Sequence, residues 1–168
     1  MKISSSFSNM EELPYEYIGE AGVNPELLIE DIPADTRSLA ILMEDYDTSD
    51  KGTHWVVWDI ISGGTHIKVN GPGPIGDTEY DVPNFESTSD LKIQANTRLG
   101  ICGENDFGKA CYAGPIPKKG TGIHHYFFKV YALDDTLNLR RGATSEELEL
   151  AMRGHVIGSA QIIGVYER

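Results

Sequence analysis

A mostly-β sandwich with a short C-terminal helix is the fold class this sequence predicts, and three observations predict it. Short apolar runs rich in Val, Ile, Phe, Tyr and Trp recur along the chain. Clusters of Gly, Pro, Asn and Asp separate them. A single helical signature stands near the end, after the strands, so the pattern is not the alternation that builds a parallel sheet.

Taken in order, the segment from about 24 to 37, "NPELLIEDIPADTR", carries Pro25 and Pro33 and reads as irregular. "SLAILMED" (38–45) and "THWVVWDI" (53–60) read as strands. Residues 61–98 are poor in apolar groups and rich in Gly, Pro, Asp and Asn, a long excursion with one short strand at "THIKV" (65–69). "LGICGE" (99–104), "HHYFFKVYAL" (124–133) and "VIGSAQIIGVY" (156–166) complete the strands, with the turn "GPIPKKGTG" (114–122) before the second of these. In "TSEELELAMRG", Thr144 and Glu147 form a capping box. Glu146 and Glu147 suit the first turn and Arg153 the last. Leu148, Ala151 and Met152 share one apolar face, and Gly154 ends the helix.

The 168 residues, 40% hydrophobic and 24% charged, predict a single domain over 1–168 with its own core. The formal charge of -12, spread along the chain, argues against a nucleic-acid partner and against an anionic membrane surface. No apolar run approaches the roughly 20 residues of a membrane helix, so stable membrane insertion is not expected. The N-terminus lacks the apolar region of a secretory signal, which predicts a cytoplasmic protein. Cys102 and Cys111 form no CxxC pair and are expected to be free structural thiols.

Strand periodicity singles out a few polar groups. Side chains alternate across a strand. Leu39, Ile41, Met43 and Asp45 therefore share a face, as do His54, Val56, Trp58 and Ile60, and His124, Tyr126, Phe128 and Val130. Each apolar face carries a titratable residue at one end. If 38–45 and 53–60 pair as a hairpin, Asp45 meets His54 at one edge. A strand beginning at His124 reaches that edge if it runs parallel to the His54 strand or lies across a shared partner. Gly114 and Pro115 then form the wall. Two imidazoles and the Tyr126 hydroxyl would donate to a small anion, phosphate or carboxylate, with Asp45 setting one histidine's tautomer. The alternative is a satisfied polar layer capping the sheet, with no ligand. No metal is expected, because His124 and His125 face opposite ways from one strand, and no cofactor is expected; the lack of a phosphate loop and of a nucleophile elbow argues against catalysis.

"SLAILMEDYDT", "THWVVWDI", "NDFGKACYAGPIPKKGTGIHHYFFKVYALD" and "GATSEELELAMRGHVIGSAQIIGVYER" together resemble the phosphatidylethanolamine-binding protein family, Raf kinase inhibitor-like, in its bacterial and archaeal branch. The resemblance covers nearly the whole chain. It implies a Greek-key β-sandwich with an anion pocket at one end. The ligand-binding positions it implies are Asp45 and Asp47, from a DPDAP-type loop, His54, Gly114 and Pro115, and His124 and Tyr126, from an HRY-type strand start. The chain departs from the family in reading "DYDTS" without the two prolines, in having His125 where relatives carry arginine, and in having Lys118 in place of the second proline of a pair. His125 faces away from the pocket by parity, so its change is expected to alter the surface more than the site.

The function expected is a non-enzymatic binding protein for a phosphoryl or carboxylate ligand. The resemblance adds a regulatory role toward a kinase or protease. Two other classes stay open: a hydrolase-type enzyme with an Asp–His acid–base pair, and an interaction module with a vestigial pocket. Oligomeric state is open too, a homodimer among the options.

Overall fold

The computed structural model describes residues 1–20, 23–48, 52–60, 67–69, 85–87, 99–110 and 112–168. Strands β1 (Lys2–Ser5), β3 (Leu27–Glu30), β6 (Ile67–Val69) and β7 (Phe85–Ser87) make one sheet, in the order β1-β3-β6-β7. The second sheet has the order β2-β10-β9-β4-β5-β8. Its strands are β2 (Glu11–Glu12), β4 (Ser38–Asp45), β5 (Gly52–Ile60), β8 (Leu99–Cys102), β9 (His124–Leu133) and β10 (Val156–Tyr166). Within it β4, β5 and β8 pair antiparallel, and β9 returns to lie beside β4. That is the Greek-key arrangement, in which a fourth strand comes back beside the first.

The larger sheet buries both faces at its centre. β4 is buried at every position, which is why "SLAILMED" reads as a continuous apolar run rather than an alternation. Leu39, Ile41 and Met43 meet Leu27 and Ile29 of the smaller sheet, with Trp55, Val57, Phe128 and Val130 beside them. Ala40 and Leu42 face the other way with Val56 and Trp58. The helix α1 (Ser145–Ala151) covers that second face through Leu148 and Met152. Its capping box is formed as the spacing predicts: Thr144 accepts from the Glu147 N–H, and the Glu147 carboxylate accepts from the Thr144 N–H. Arg153 lies beyond the helix, so no basic residue stands in the last turn.

The fold departs from expectation in several places. The segment read as irregular contains β3, which β1 completes antiparallel from 22 or more residues away. β1 and β2 are short, and β2 is paired parallel to β10. Of the long excursion, β6 falls on the C-terminal end of "THIKV" and β7 is an additional strand. The remainder of 61–98 lies outside the described residues. Cys102 is disulfide-bonded rather than a free thiol. Bridging depends on Cα separation, which sequence spacing does not report.

Candidate functional site

At the Asp45 end of the larger sheet the strands open on a cleft of about 390 Å³. Its floor comes from three neighbouring strands. β4 pairs antiparallel with β5 on one side and with β9 on the other. β5 and β9 therefore run parallel across β4, and their first residues reach the edge where β4 ends. Asp45 pairs with Gly52 on one side and with Tyr126 on the other.

His54 reaches this cleft by a route that simple alternation does not give. Val56 and Trp58 pack on the helix side of the sheet, whereas Trp55 and Val57 face the sandwich core. Strict alternation would put His54 with Val56, away from Asp45. The register shows why it does not: Met43 pairs with Trp55 but the adjacent Glu44 pairs with Thr53, so His54 is the extra residue of a β-bulge. A bulge re-aims one side chain. The shared face assigned to His54, Val56, Trp58 and Ile60 is thus corrected, although His54 still arrives beside Tyr126, ring to ring at 5.3 Å.

The polar groups form a connected set. His124 Nδ1 lies 2.6 Å from Asp45 Oδ2, and both side chains are almost wholly buried. Asp45 Oδ1 accepts from the Asp47 N–H at 2.9 Å. This bond closes the "DYD" turn, which lacks the family-type prolines. Asp47 Oδ2 in turn accepts from the His125 N–H and from its Nδ1–H. Burial pushes the Asp47 pKa up, but the two bonds and the charge from His125 outweigh it and hold the carboxyl below its usual range. His125 itself points outside the cleft, as parity predicts, yet it anchors a residue that lines it.

His54 Nδ1 donates to the Ala113 carbonyl at 2.8 Å, and the Ala113 N–H donates back to the His54 carbonyl. Burial lowers the His54 pKa, with the Ala113 bond and the Asp45 charge acting the other way. Burial thus favours the neutral ring, in which Nδ1 is the donor and Nε2 presents a lone pair. In that form His54 offers a ligand an acceptor, where the sequence expectation has both imidazoles donating. Tyr126 is wholly buried, and its hydroxyl has no hydrogen-bond partner among the described residues. Burial, then the charge of the nearby Asp45 carboxylate and a loose hydrogen-bonding contact to it, raise its pKa, so the hydroxyl keeps its proton.

Asp45, Asp47, His54, His124 and Tyr126 all line the cleft. Gly114 and Pro115 do not line it. They are buried behind it, where a Cβ on Gly114 would come within 2.5 Å of the Gly19 carbonyl and 2.7 Å of that of Tyr17. The Pro115 carbonyl accepts from the Gly19 N–H. The wall itself is Ile116, Pro117, Lys118 and Thr121, with Thr48 and Phe107 opposite. Phe107 stands over the His54 ring at 4.7 Å. Its turn is held by Asn105, whose Oδ1 accepts from the Phe107 and Lys109 N–H groups. The Asn-Asp pair followed by Gly108 signals that turn in the sequence, but side-chain direction on a turn has no period to read. Among the described residues, no three His, Cys, Asp or Glu groups converge as a metal site.

Known proteins resemble the chain over nearly its whole length. A profile of the family described as phosphatidylethanolamine-binding protein matches residues 3–167. A UPF0098 protein of Pyrococcus abyssi is 42% identical over 100% of this chain and 85% of its own length. One from Aquifex aeolicus is 37% identical over 98% of this chain and 86% of its own. Two solved structures superpose on it. The Chlamydia trachomatis phosphatidylethanolamine-binding protein homolog CT736 has a TM-score of 0.78 at 26% identity, covering 99% of this chain and 97% of its own. E. coli YbcL, described as a member of the mammalian PEBP family, has a TM-score of 0.77 at 25% identity, covering 99% and 98%.

Proposed function

The chain belongs to the phosphatidylethanolamine-binding protein family, and from that premise we propose that its cleft holds a small oxyanion: phosphate, a phosphoryl headgroup or a carboxylate. Membership supports a non-catalytic binding protein in general. The observation that carries the finer reading is the Tyr126 hydroxyl, which is buried, keeps its proton and, among the described residues, makes no well-formed hydrogen bond in a cleft of polar groups, with the Asp45 carboxylate its one close polar influence. Leaving such a donor unmatched costs about 1–3 kcal/mol. A ligand oxygen that accepts from it removes that cost.

The rest of the cleft fits the same ligand. Lys118 lines it and adds a cation where the family pattern has proline. The Asp45 carboxylate is turned to His124 Nδ1–H and the Asp47 N–H, so its oxygens are occupied by donors of the protein. His54 Nε2 accepts the remaining proton of a hydrogen phosphate or a phosphomonoester. Phosphate, with a proton to give and several oxygens to receive bonds, matches donors and acceptor together. A regulatory role toward a kinase or protease rests on the family resemblance alone. The disulfide on Cys102 counts against an ordinary reducing cytoplasm, since such bonds persist mainly in oxidising compartments or in hyperthermophiles. Among the described residues, no helix is long and apolar enough to cross a membrane.

The test is calorimetric titration of the parent and of His124→Ala with phosphate and with O-phosphorylethanolamine. Binding by the parent that the variant loses is expected. No heat from the parent at millimolar ligand removes the reading.

A further inference from the structure

A threonine hydroxyl owns one hydrogen. That of Thr121 lies 2.7 Å from the Lys118 carbonyl, which can only accept, so the hydrogen goes there. On its other side, 2.8 Å away, is His124 Nε2. With its hydrogen already used, Thr121 Oγ1 meets that nitrogen as an acceptor, and Nε2–H donates. His124 Nδ1 donates likewise to the Asp45 carboxylate. The direction in which His124 would offer Nε2–H to a ligand is therefore filled by an oxygen of the protein itself.

We infer that Thr121 is an internal occupant of the anion position and a specificity-determining residue for it: a bound oxyanion takes Nε2–H over from Thr121 Oγ1, and a neutral oxygen does not. This rests on the anion-binding reading and says which ligands that site admits. Exchanging a hydroxyl oxygen for an amide or alcohol oxygen replaces like with like. Exchanging it for an anionic oxygen puts a full negative charge on the acceptor, which shortens and strengthens the bond from Nε2–H. Thr121 thus sets a threshold that only charged ligands pass.

The turn is built for the exchange. Thr121 is exposed, and its own N–H reaches the Lys118 carbonyl at 3.3 Å, a long bond. Gly120 and Gly122 on either side hold φ of +79° and +85°, and nothing lies within 4 Å of where their side chains would be. Glycine moves readily between such backbone states. Thr121 can therefore leave His124 without disturbing β9 or the buried Pro117. The Tyr126 hydroxyl, which makes no well-formed hydrogen bond among the described residues, gives the incoming oxygen a second donor.

Three proteins test this: the parent, Thr121→Val, which keeps the shape and removes the oxygen, and Thr121→Ser, which keeps the oxygen. Each is titrated with inorganic phosphate by calorimetry. The His124 imidazole nitrogens are followed by 15N NMR during addition of acetate and of its neutral counterpart, acetamide. Phosphate should bind Thr121→Val about two- to tenfold more tightly than the parent, the span of one net hydrogen bond. Thr121→Ser should match the parent. Acetate should shift the His124 Nε2 signal in the parent and acetamide should not. Phosphate binding that is equal or weaker in Thr121→Val overturns the role of Thr121 and leaves the anion site standing, as does an acetamide shift as large as that of acetate. If neither parent nor variant binds phosphate, the anion reading itself falls and takes this one with it.

Discussion

Replacing Tyr126 by Phe should move stability and binding in opposite directions. Phe keeps what the ring does: it stays wholly buried, edge-on to His54 at 5.3 Å and stacked on His124 at 6.4 Å. What goes is one hydroxyl with no hydrogen-bond partner among the described residues. An unmatched buried hydroxyl costs about 1–3 kcal/mol, and part of that is offset here by its dipole beside Asp45. The ligand-free variant should therefore be as stable as the parent or up to about 1 kcal/mol more stable, a rise in Tm of about 2–4 °C for a chain of this length. In the complex the same hydroxyl donates to an anion, a bond worth about 1.5–3 kcal/mol. Phosphate affinity should fall about tenfold to a hundredfold, at about 1.4 kcal/mol per factor of ten. Thermal melting followed by circular dichroism, paired with phosphate titration calorimetry, reads both quantities on one preparation. A variant that melts several degrees lower and binds phosphate as the parent does would refute the reasoning, because the hydroxyl would then be structural.

Four other outcomes are expected. Asp45→Asn replaces the carboxylate that accepts from the buried His124 Nδ1–H by an amide and should cost about 1.5–3 kcal/mol in urea unfolding; a loss below about 0.5 kcal/mol would mean that the charge on the acceptor contributes nothing to this bond. Gly114→Ala forces a methyl against two backbone carbonyls and should destabilise by about 1–3 kcal/mol, while phosphate affinity of the folded protein is unchanged; weakened binding with normal stability would instead make Gly114 part of the wall. Burial holds the folded-state pKa of His54 below the ordinary value of about 6.5, so the unfolded chain takes the proton first as the pH falls. Stability from this group is complete above about pH 6.5 and is lost as the pH drops toward the folded pKa, and a Tm–pH profile of His54→Gln should be flatter there than that of the parent. Reducing the Cys102 bond should remove about 2–4 kcal/mol of stability, seen as a lower urea midpoint in the presence of a thiol.

What the residues alone determined is the part of the molecule governed by short-range rules. β4, β9 and β10 begin and end where "SLAILMED", "HHYFFKVYAL" and "VIGSAQIIGVY" begin and end, because a long apolar run bounded by turn residues has few other ways to be buried. The capping box places α1 through contacts within four residues. Asp45, His124 and Tyr126 could be placed at one edge because β4 and β9 keep a regular period up to it. Tertiary structure decided the rest. β1 and β3 are four residues each, and they become strands through partners distant in the chain rather than through local preference. His54 enters the cleft through a bulge, and that inserted residue puts Val56 and Trp58 on the face opposite to it. Gly114 and Pro115 sit behind the wall instead of in it because the 3₁₀ turn at Tyr15–Tyr17 and the residues after it pack against them from far along the chain. The bond from His124 to Thr121 and the bridge on Cys102 depend on distances of a few ångströms between groups on turns and strand ends. Period and composition say which face a strand residue takes; they carry no such distances, and the ligand preference of this cleft depends on them.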